Sequence, residues 1–200
     1  MKNEIKKDLI QRITEEVITQ SCSKKKWLDS KNEKIKPLST TEKGTIGEKI
    51  LESYIVNLGK NYRAEFPEIR RGDYDVRGLN ILNNLYKDFE SKLATEDSNG
   101  GFQFNAMKLD AKYDYLFCIG VSPNEEFFQI IKKSDLFNDT YMKNTFNCKL
   151  TSLYKKRKNE NPKKMSYKLS LRKSKLRPIS ELSIVLKEIL NGKCLEGTTK

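Results

Sequence analysis

The sequence predicts an α/β domain in which a mixed β-sheet is flanked by helices. Three observations carry this. Two segments in the first third have apolar residues at helical spacing, the middle of the chain is a series of short strand-like runs between turn residues, and an amphipathic stretch with a glycine stop lies near the end. A length of 200 residues suits a single domain with one core and argues against two full ones.

The elements follow in order. From Asn3 to about Ser21, Ile5, Leu9, Ile10, Ile13, Val17 and Ile18 fall close to helical spacing, with charge on the opposite face, which predicts a core-facing helix. Ser23 to Ser39 holds Pro37 and the only tryptophan, and reads as a loop or short helix with Trp27 as a packing anchor. Thr40 and Thr41 are candidate caps for a second helix, whose stripe runs through Ile50, Leu51, Tyr54, Ile55 and Leu58 to a stop at Gly59. A hairpin comes next, with arms at about Arg70 to Arg77 and Leu85 to Ala94, joined through Gly78, Leu79, Asn83 and Asn84. After a polar loop from Glu96 to Gly101, Gln103 to Met107 begins a short helix or an extended connector. Tyr113 to Val121 is nearly all apolar and reads as a buried strand. A turn at Pro123 and Asn124 leads to another strand from Phe127 to Ile131, and Ser166 to Arg172 alternates as a strand does. Pro178, Ser180 as N-cap, Glu181 to Leu190 and a stop at Asn191 and Gly192 define the last helix.

Composition narrows the chemistry. The chain contains no histidine, which removes Ser-His-Asp and Cys-His catalysis, histidine zinc sites and imidazole bases. Hydrolysis must then use carboxylates, lysine and metal. Cys22, Cys118, Cys148 and Cys194 form no Cys-x-x-Cys pair, so reduced thiols are expected. No apolar run approaches the roughly 18 residues of a membrane span, and the charged N-terminus lacks the apolar segment of a secretory signal. A soluble, cytoplasmic protein is expected.

The formal net charge of +12 is concentrated. Lys143 to Arg177 contains 13 Lys or Arg against one acidic residue, Glu160, while the rest of the chain balances 26 basic against 26 acidic residues. A basic block in an otherwise neutral chain is the footprint of a polyphosphate partner, because each contacted phosphate releases counterions. Apolar residues such as Phe146, Leu153, Tyr167 and Leu169 are interleaved with it, which favours an ordered surface over a solvated tail. Candidate nucleic-acid contacts are Lys155, Lys156, Arg157, Lys158, Lys163, Lys164, Arg172 and Lys173.

The hairpin concentrates the chemistry-bearing residues. Asp73 and Asp75 are two apart on one arm, and Glu90 and Lys92 two apart on the other, so each pair shares a face if the arms are strands. A carboxylate from each arm could hold one or two Mg²⁺ ions, which prefer oxygen ligands and keep several waters. Lys92 would stand beside the water and a phosphate. This is the layout of a metal-dependent nuclease site. In a chain one-third charged, a lone Glu-x-Lys carries little information, and an exposed polar face would produce the same pair.

Four matches in order make the chain resemble the PD-(D/E)xK nuclease superfamily, and within it the type II restriction endonucleases. They are Gly44 to Glu48 as Gly-x-x-Gly-Glu, Gly72 to Asp75, Glu90-Ser91-Lys92, and Gly101 to Asn105 followed by the Tyr113 to Val121 strand and its proline turn. Gly72 stands where the family often has proline, and either Asp73 or Asp75 could be the motif aspartate. The resemblance implies a restriction-endonuclease-like core at about 40–140, with the basic segment and last helix at about 141–195. It implies Mg²⁺ on the motif aspartate, Glu90 and the Ser91 carbonyl, Glu48 reaching the metal through water, and Lys92 orienting or deprotonating the attacking water with its pKa depressed by the metal. Gln103 would position Lys92 or the phosphate. The implied activity is site-specific cleavage of double-stranded DNA by a homodimer. A repair or junction-resolving nuclease, and a non-catalytic nucleic-acid-binding protein on the same fold, are the alternatives.

Overall fold

The computed structural model describes residues 26–68, 73–153 and 166–193. The first predicted helix, Cys22, Cys194, Gly72 and the lysines and arginine of 155–164 lie outside these. Among the described residues, no helix is long and apolar enough to cross a membrane.

Helix α1 (Thr40–Val56) starts at a capping box: the Ser39 side chain accepts from the Glu42 N–H, and the Glu42 carboxylate accepts from the Ser39 N–H. The cap is therefore Ser39, one residue before the expected threonines, because only Ser39 has its partner three residues on. Strand β1 (Tyr62–Glu65) follows and was not foreseen, since four residues of mixed polarity give no periodic signal. It pairs antiparallel with β2 (Val76–Asn80), which pairs antiparallel with β3 (Leu85–Thr95). The first hairpin arm is thus shorter than expected, and the turn is Ile81 to Asn84. Gly78 and Leu79 are strand residues. At Gly78 a Cβ would meet Leu190 Cδ2 at 3.0 Å and Ile55 Cδ1 at 3.1 Å, so the missing side chain lets two helices close over the strand.

The chain continues through β4 (Gly101–Lys108), β5 (Tyr115–Val121), β6 (Glu126–Lys132), α2 (Lys133–Leu136), α3 (Asp139–Phe146), β7 (Thr151–Ser152), β8 (Ser166–Arg172), β9 (Arg177–Pro178) and α4 (Leu182–Leu190). The expected cap of α4 is corrected: Ser180 sits inside a 3₁₀ turn, and Glu181 precedes the helix without a side-chain cap, its carboxylate being held by Arg177. The predicted stop holds, with Asn191 as C-cap and Gly192 at φ +79°.

Two sheets result. A six-stranded mixed sheet has the order β1-β2-β3-β5-β6-β9, with β3 and β5 parallel and every other pair antiparallel; a three-stranded antiparallel sheet has the order β4-β8-β7. Parallel neighbours need a long crossover. Here that crossover contains β4, so Gln103 to Met107 is a strand and not the start of a helix. A register shift between Phe104 and Met107, with Ala106 at φ +63°, leaves Asn105 and Ala106 both exposed while returning Met107 to the core.

The large sheet is covered on both faces. Leu51 and Ile55 of α1 and Val185, Leu186 and Ile189 of α4 pack on Val76, Phe89, Phe117, Ile119 and Phe128, together with Trp27, which is 3% exposed and an anchor as expected. The opposite face carries Leu116, Cys118 and Ile131 against Phe102, Phe104, Leu169 and Leu171 of the small sheet and Leu136, Met142 and Phe146 of α2 and α3. All seven residues of β5 are buried for this reason, which explains why that strand reads as a continuous apolar run. Removing a large side chain such as Phe117 from either layer would cost about 3–5 kcal/mol.

Candidate active site

The site is built where β2 ends. Val76 is opposite Phe89, and the Asp75 N–H also donates to the Phe89 carbonyl, at 2.9 Å, so the regular ladder ends here and holds Asp75 against β3 just before Glu90. Beyond this point the outer edge of β3 has lost its partner strand. The Asp75 carboxylate takes over, accepting the Ser91 N–H at 2.8 Å. Because N–H and C=O of one strand residue point to the same side, the Ser91 carbonyl faces the same edge.

Alternation along β3 separates the functions of its residues. Phe89 and Leu93 join the α1 and α4 layer, while Glu90 and Lys92 turn to the face shared with Leu116 and Cys118, their β5 partners. Lys92 Nζ donates to Glu90 Oε1 at 2.5 Å, and the two side chains are only 22% and 15% exposed. An ion pair this enclosed is strongly coupled to its surroundings. Burial drives the Glu90 carboxyl above its ordinary value, with the Asp75 charge adding to the effect and Lys92 and Lys108 opposing it. Burial alone would lower the Lys92 ammonium, but the facing Glu90 and Asp75 carboxylates outweigh it and hold Lys92 above the ordinary lysine value. The protein's own charges therefore act opposite to the expected depression, which rested on a neighbouring cation.

Helix α1 reaches the site from the other side of β3. At Gly47 a Cβ would stand 2.8 Å from Ser91 Oγ, so the glycine lets the helix touch the strand directly behind the Glu90–Lys92 pair. Glu48, the next residue, is half-buried. The Ser91 hydroxyl is enclosed by this contact and has no hydrogen-bond partner among the described residues.

Other predicted residues lie elsewhere. Asp73 is outside the β2 ladder, 49% exposed, and paired with Lys112 at 3.2 Å; it does not share a strand face with Asp75. Gln103 is on the exposed side of β4, where its partner is the Asp97 carboxylate and not Lys92. Arg172 is exposed at the end of β8, whereas Lys173 is committed to Glu125 and lies 4.7 Å over the Phe127 ring. Two residues near the site were missed. Lys108 acts electrostatically on Glu90 from the end of β4, and the Glu90 charge acts on the Tyr113 phenol just before β5. Lys108 is one of 39 basic residues and Tyr113 reads as part of an apolar run, so neither carried a distinguishing signal.

The donor set suits a hard cation. The carboxylates of Asp75 and Glu90 and the Ser91 carbonyl are all oxygen, and no group of three or more His, Cys, Asp or Glu that could hold a metal gathers among the described residues. Oxygen donors are the kind that hard cations take.

No family model matches the sequence, and no curated protein does. Among solved structures, the chain is similar to a bacterial homing endonuclease, with a TM-score of 0.45 and 14% identity over 77% of this chain and 98% of that one.

Proposed function

We propose that this chain is a Mg²⁺-dependent endodeoxyribonuclease that hydrolyses phosphodiester bonds in double-stranded DNA, most simply a type II restriction enzyme acting as a homodimer. The observation that carries the reading is the convergence of Asp75, Glu90 and Lys92 at the strand edge where β2 ends. Asp75, Glu90 and the Ser91 carbonyl would hold Mg²⁺, and Glu48 would reach it through water. When bound, the ion supplies electrostatic stabilisation of the charge that develops on the phosphate.

The chain's own groups do the rest. Lys92, fixed by Glu90, would orient a water toward phosphorus by donating a hydrogen bond to its oxygen. Lys108 adds positive charge next to the phosphate. Exposed cations of the basic block, Arg172 among the described ones, supply phosphate contacts that set register on the duplex. Two-fold pairing of protomers would allow both strands of a palindrome to be cut.

The completeness of the Glu90–Lys92 pair favours one other reading, a nucleic-acid-binding protein in which the pair is structural. Incubating the purified chain with long duplex DNA, in Mg²⁺ or EDTA, beside Lys92→Ala separates the two. Discrete fragments that require both Mg²⁺ and Lys92 support the nuclease; at least a 100-fold loss of cleavage with DNA binding retained is expected for the variant. Intact DNA throughout, with a salt-sensitive mobility shift, supports the binding protein.

A further inference from the structure

Tyr113 is 4% exposed, yet its hydroxyl has no hydrogen-bond partner among the described residues. Native proteins leave few such groups, because a phenylalanine would fill the same volume without the unmet hydrogen bond. The placement of the ring is firmly specified. The next residue, Asp114, donates its N–H to the Asp88 carbonyl at 2.8 Å, accepts the Asp88 N–H on its carboxylate at 2.9 Å, and accepts the Lys133 N–H on its own carbonyl at 2.8 Å. Tyr113 is thereby tied to β3 two residues before Glu90. On its flank, the Lys133 ammonium stands 5.0 Å from the ring centroid and donates to the Ala111 carbonyl.

Tyr113 packs in one cluster with Leu116 and Cys118, the β5 partners of Glu90 and Lys92. It therefore belongs to the sheet face that bears the Glu90–Lys92 pair, and the Glu90 charge acts on its phenol. Burial, reinforced by the Glu90 charge, pushes its pKa well up, so it stays a neutral O–H donor. A buried donor on the sheet face of a buried carboxylate, with no acceptor among the described residues, is the arrangement that holds an ordered water.

We propose that the Tyr113 hydroxyl is a further binding group of this site, donating a hydrogen bond to a water molecule held between it and Glu90. The water itself is independent of the nuclease reading; its kinetic consequence, a water kept ready beside Lys92, rests on that reading.

The test compares the full-length chain with Tyr113→Phe, which keeps the ring and its packing. In high-resolution crystal structures, an ordered water within hydrogen-bond distance of Tyr113 Oη and the Glu90 carboxylate should appear in the parent and be absent or displaced in the variant. In DNA cleavage, kcat should fall about 10-fold with KM unchanged, the scale of one lost hydrogen bond, while the thermal midpoint does not rise. A parent structure with no water there, together with a variant that melts higher and cleaves equally fast, overturns the proposal. If the parent holds the water but cleaves no DNA, the nuclease reading fails and Tyr113 stands as a water-binding group.

Discussion

At the residue scale, two aspartates that the sequence left equivalent have different surroundings. Asp75 accepts the Ser91 N–H and acts electrostatically on Glu90, whereas Asp73 is half-exposed and paired with a lysine that is itself 82% exposed. Asp75→Asn keeps an oxygen for Ser91 but removes the charge. It should retain most of its stability while losing cleavage. Asp75→Ala should lose cleavage and, in addition, about 1–2 kcal/mol of stability, the cost of an edge amide without its acceptor. Asp73→Asn should change stability by less than about 0.5 kcal/mol, as surface pairs do, and leave cleavage within a few-fold. Thermal melts and cleavage rates of the three variants decide between the aspartates; equal losses from Asp73→Asn and Asp75→Asn would overturn the assignment.

At the element scale, the approach of α1 to β3 depends on one atom that is absent. Gly47→Ala would bring Cβ to 2.8 Å from Ser91 Oγ, in a contact with no slack, and should destabilise the chain by about 1–3 kcal/mol. Gly44→Ala, one helical turn earlier, has nothing within 4 Å of the new Cβ and should be neutral or stabilising by about 0.5–1 kcal/mol from helix propensity. Adding Ser91→Ala to Gly47→Ala removes the clashing oxygen and should recover part of the loss. Denaturant unfolding of the four proteins checks this, and an equal effect at both glycines would show that helix propensity, not contact with β3, governs the site. Because Glu48 follows Gly47, the same variants report whether helix position matters to cleavage.

At the scale of the whole molecule, residues 26–36 are clamped to the large sheet by ion pairs. Lys26 Nζ is 2.5 Å from Glu96 Oε1, Lys36 donates to the Glu96 carbonyl at 2.9 Å, and Lys31 Nζ is 2.8 Å from Glu126 Oε1. Burial would raise both carboxyls, but the lysines outweigh it and hold Glu96 and Glu126 below the ordinary value of 4.5. A carboxyl depressed on folding stabilises the fold fully above its unfolded pKa and loses that contribution as pH falls through its folded one. Thermal midpoints should therefore be nearly level above about pH 5 and decline below it. Glu96→Gln with Glu126→Gln should lower the neutral midpoint and flatten the acid decline; an acid decline as steep as the parent's would place its origin in other carboxylates.

Much of the fold is legible without coordinates where burial imposes periodicity. The α1 stripe, the all-apolar β5, the alternation of β8 and the Gly192 stop each follow from local rules, as does the sharing of one face by Glu90 and Lys92, because side chains two apart in a strand cannot do otherwise. The absence of histidine likewise fixed which hydrolytic chemistries were available. Partner choice between distant segments is another matter. That β2 begins only at Val76, that β4 founds a second sheet, that Gln103 turns to Asp97, and that Tyr113 is buried with Leu116 and Cys118 depend on contacts between residues far apart in the chain. The sequence by itself determined the residue types and local faces of the site. Tertiary structure alone decided which aspartate joins them and what encloses them, because strand register and sheet crossover are set by packing across the molecule and not by neighbours along it.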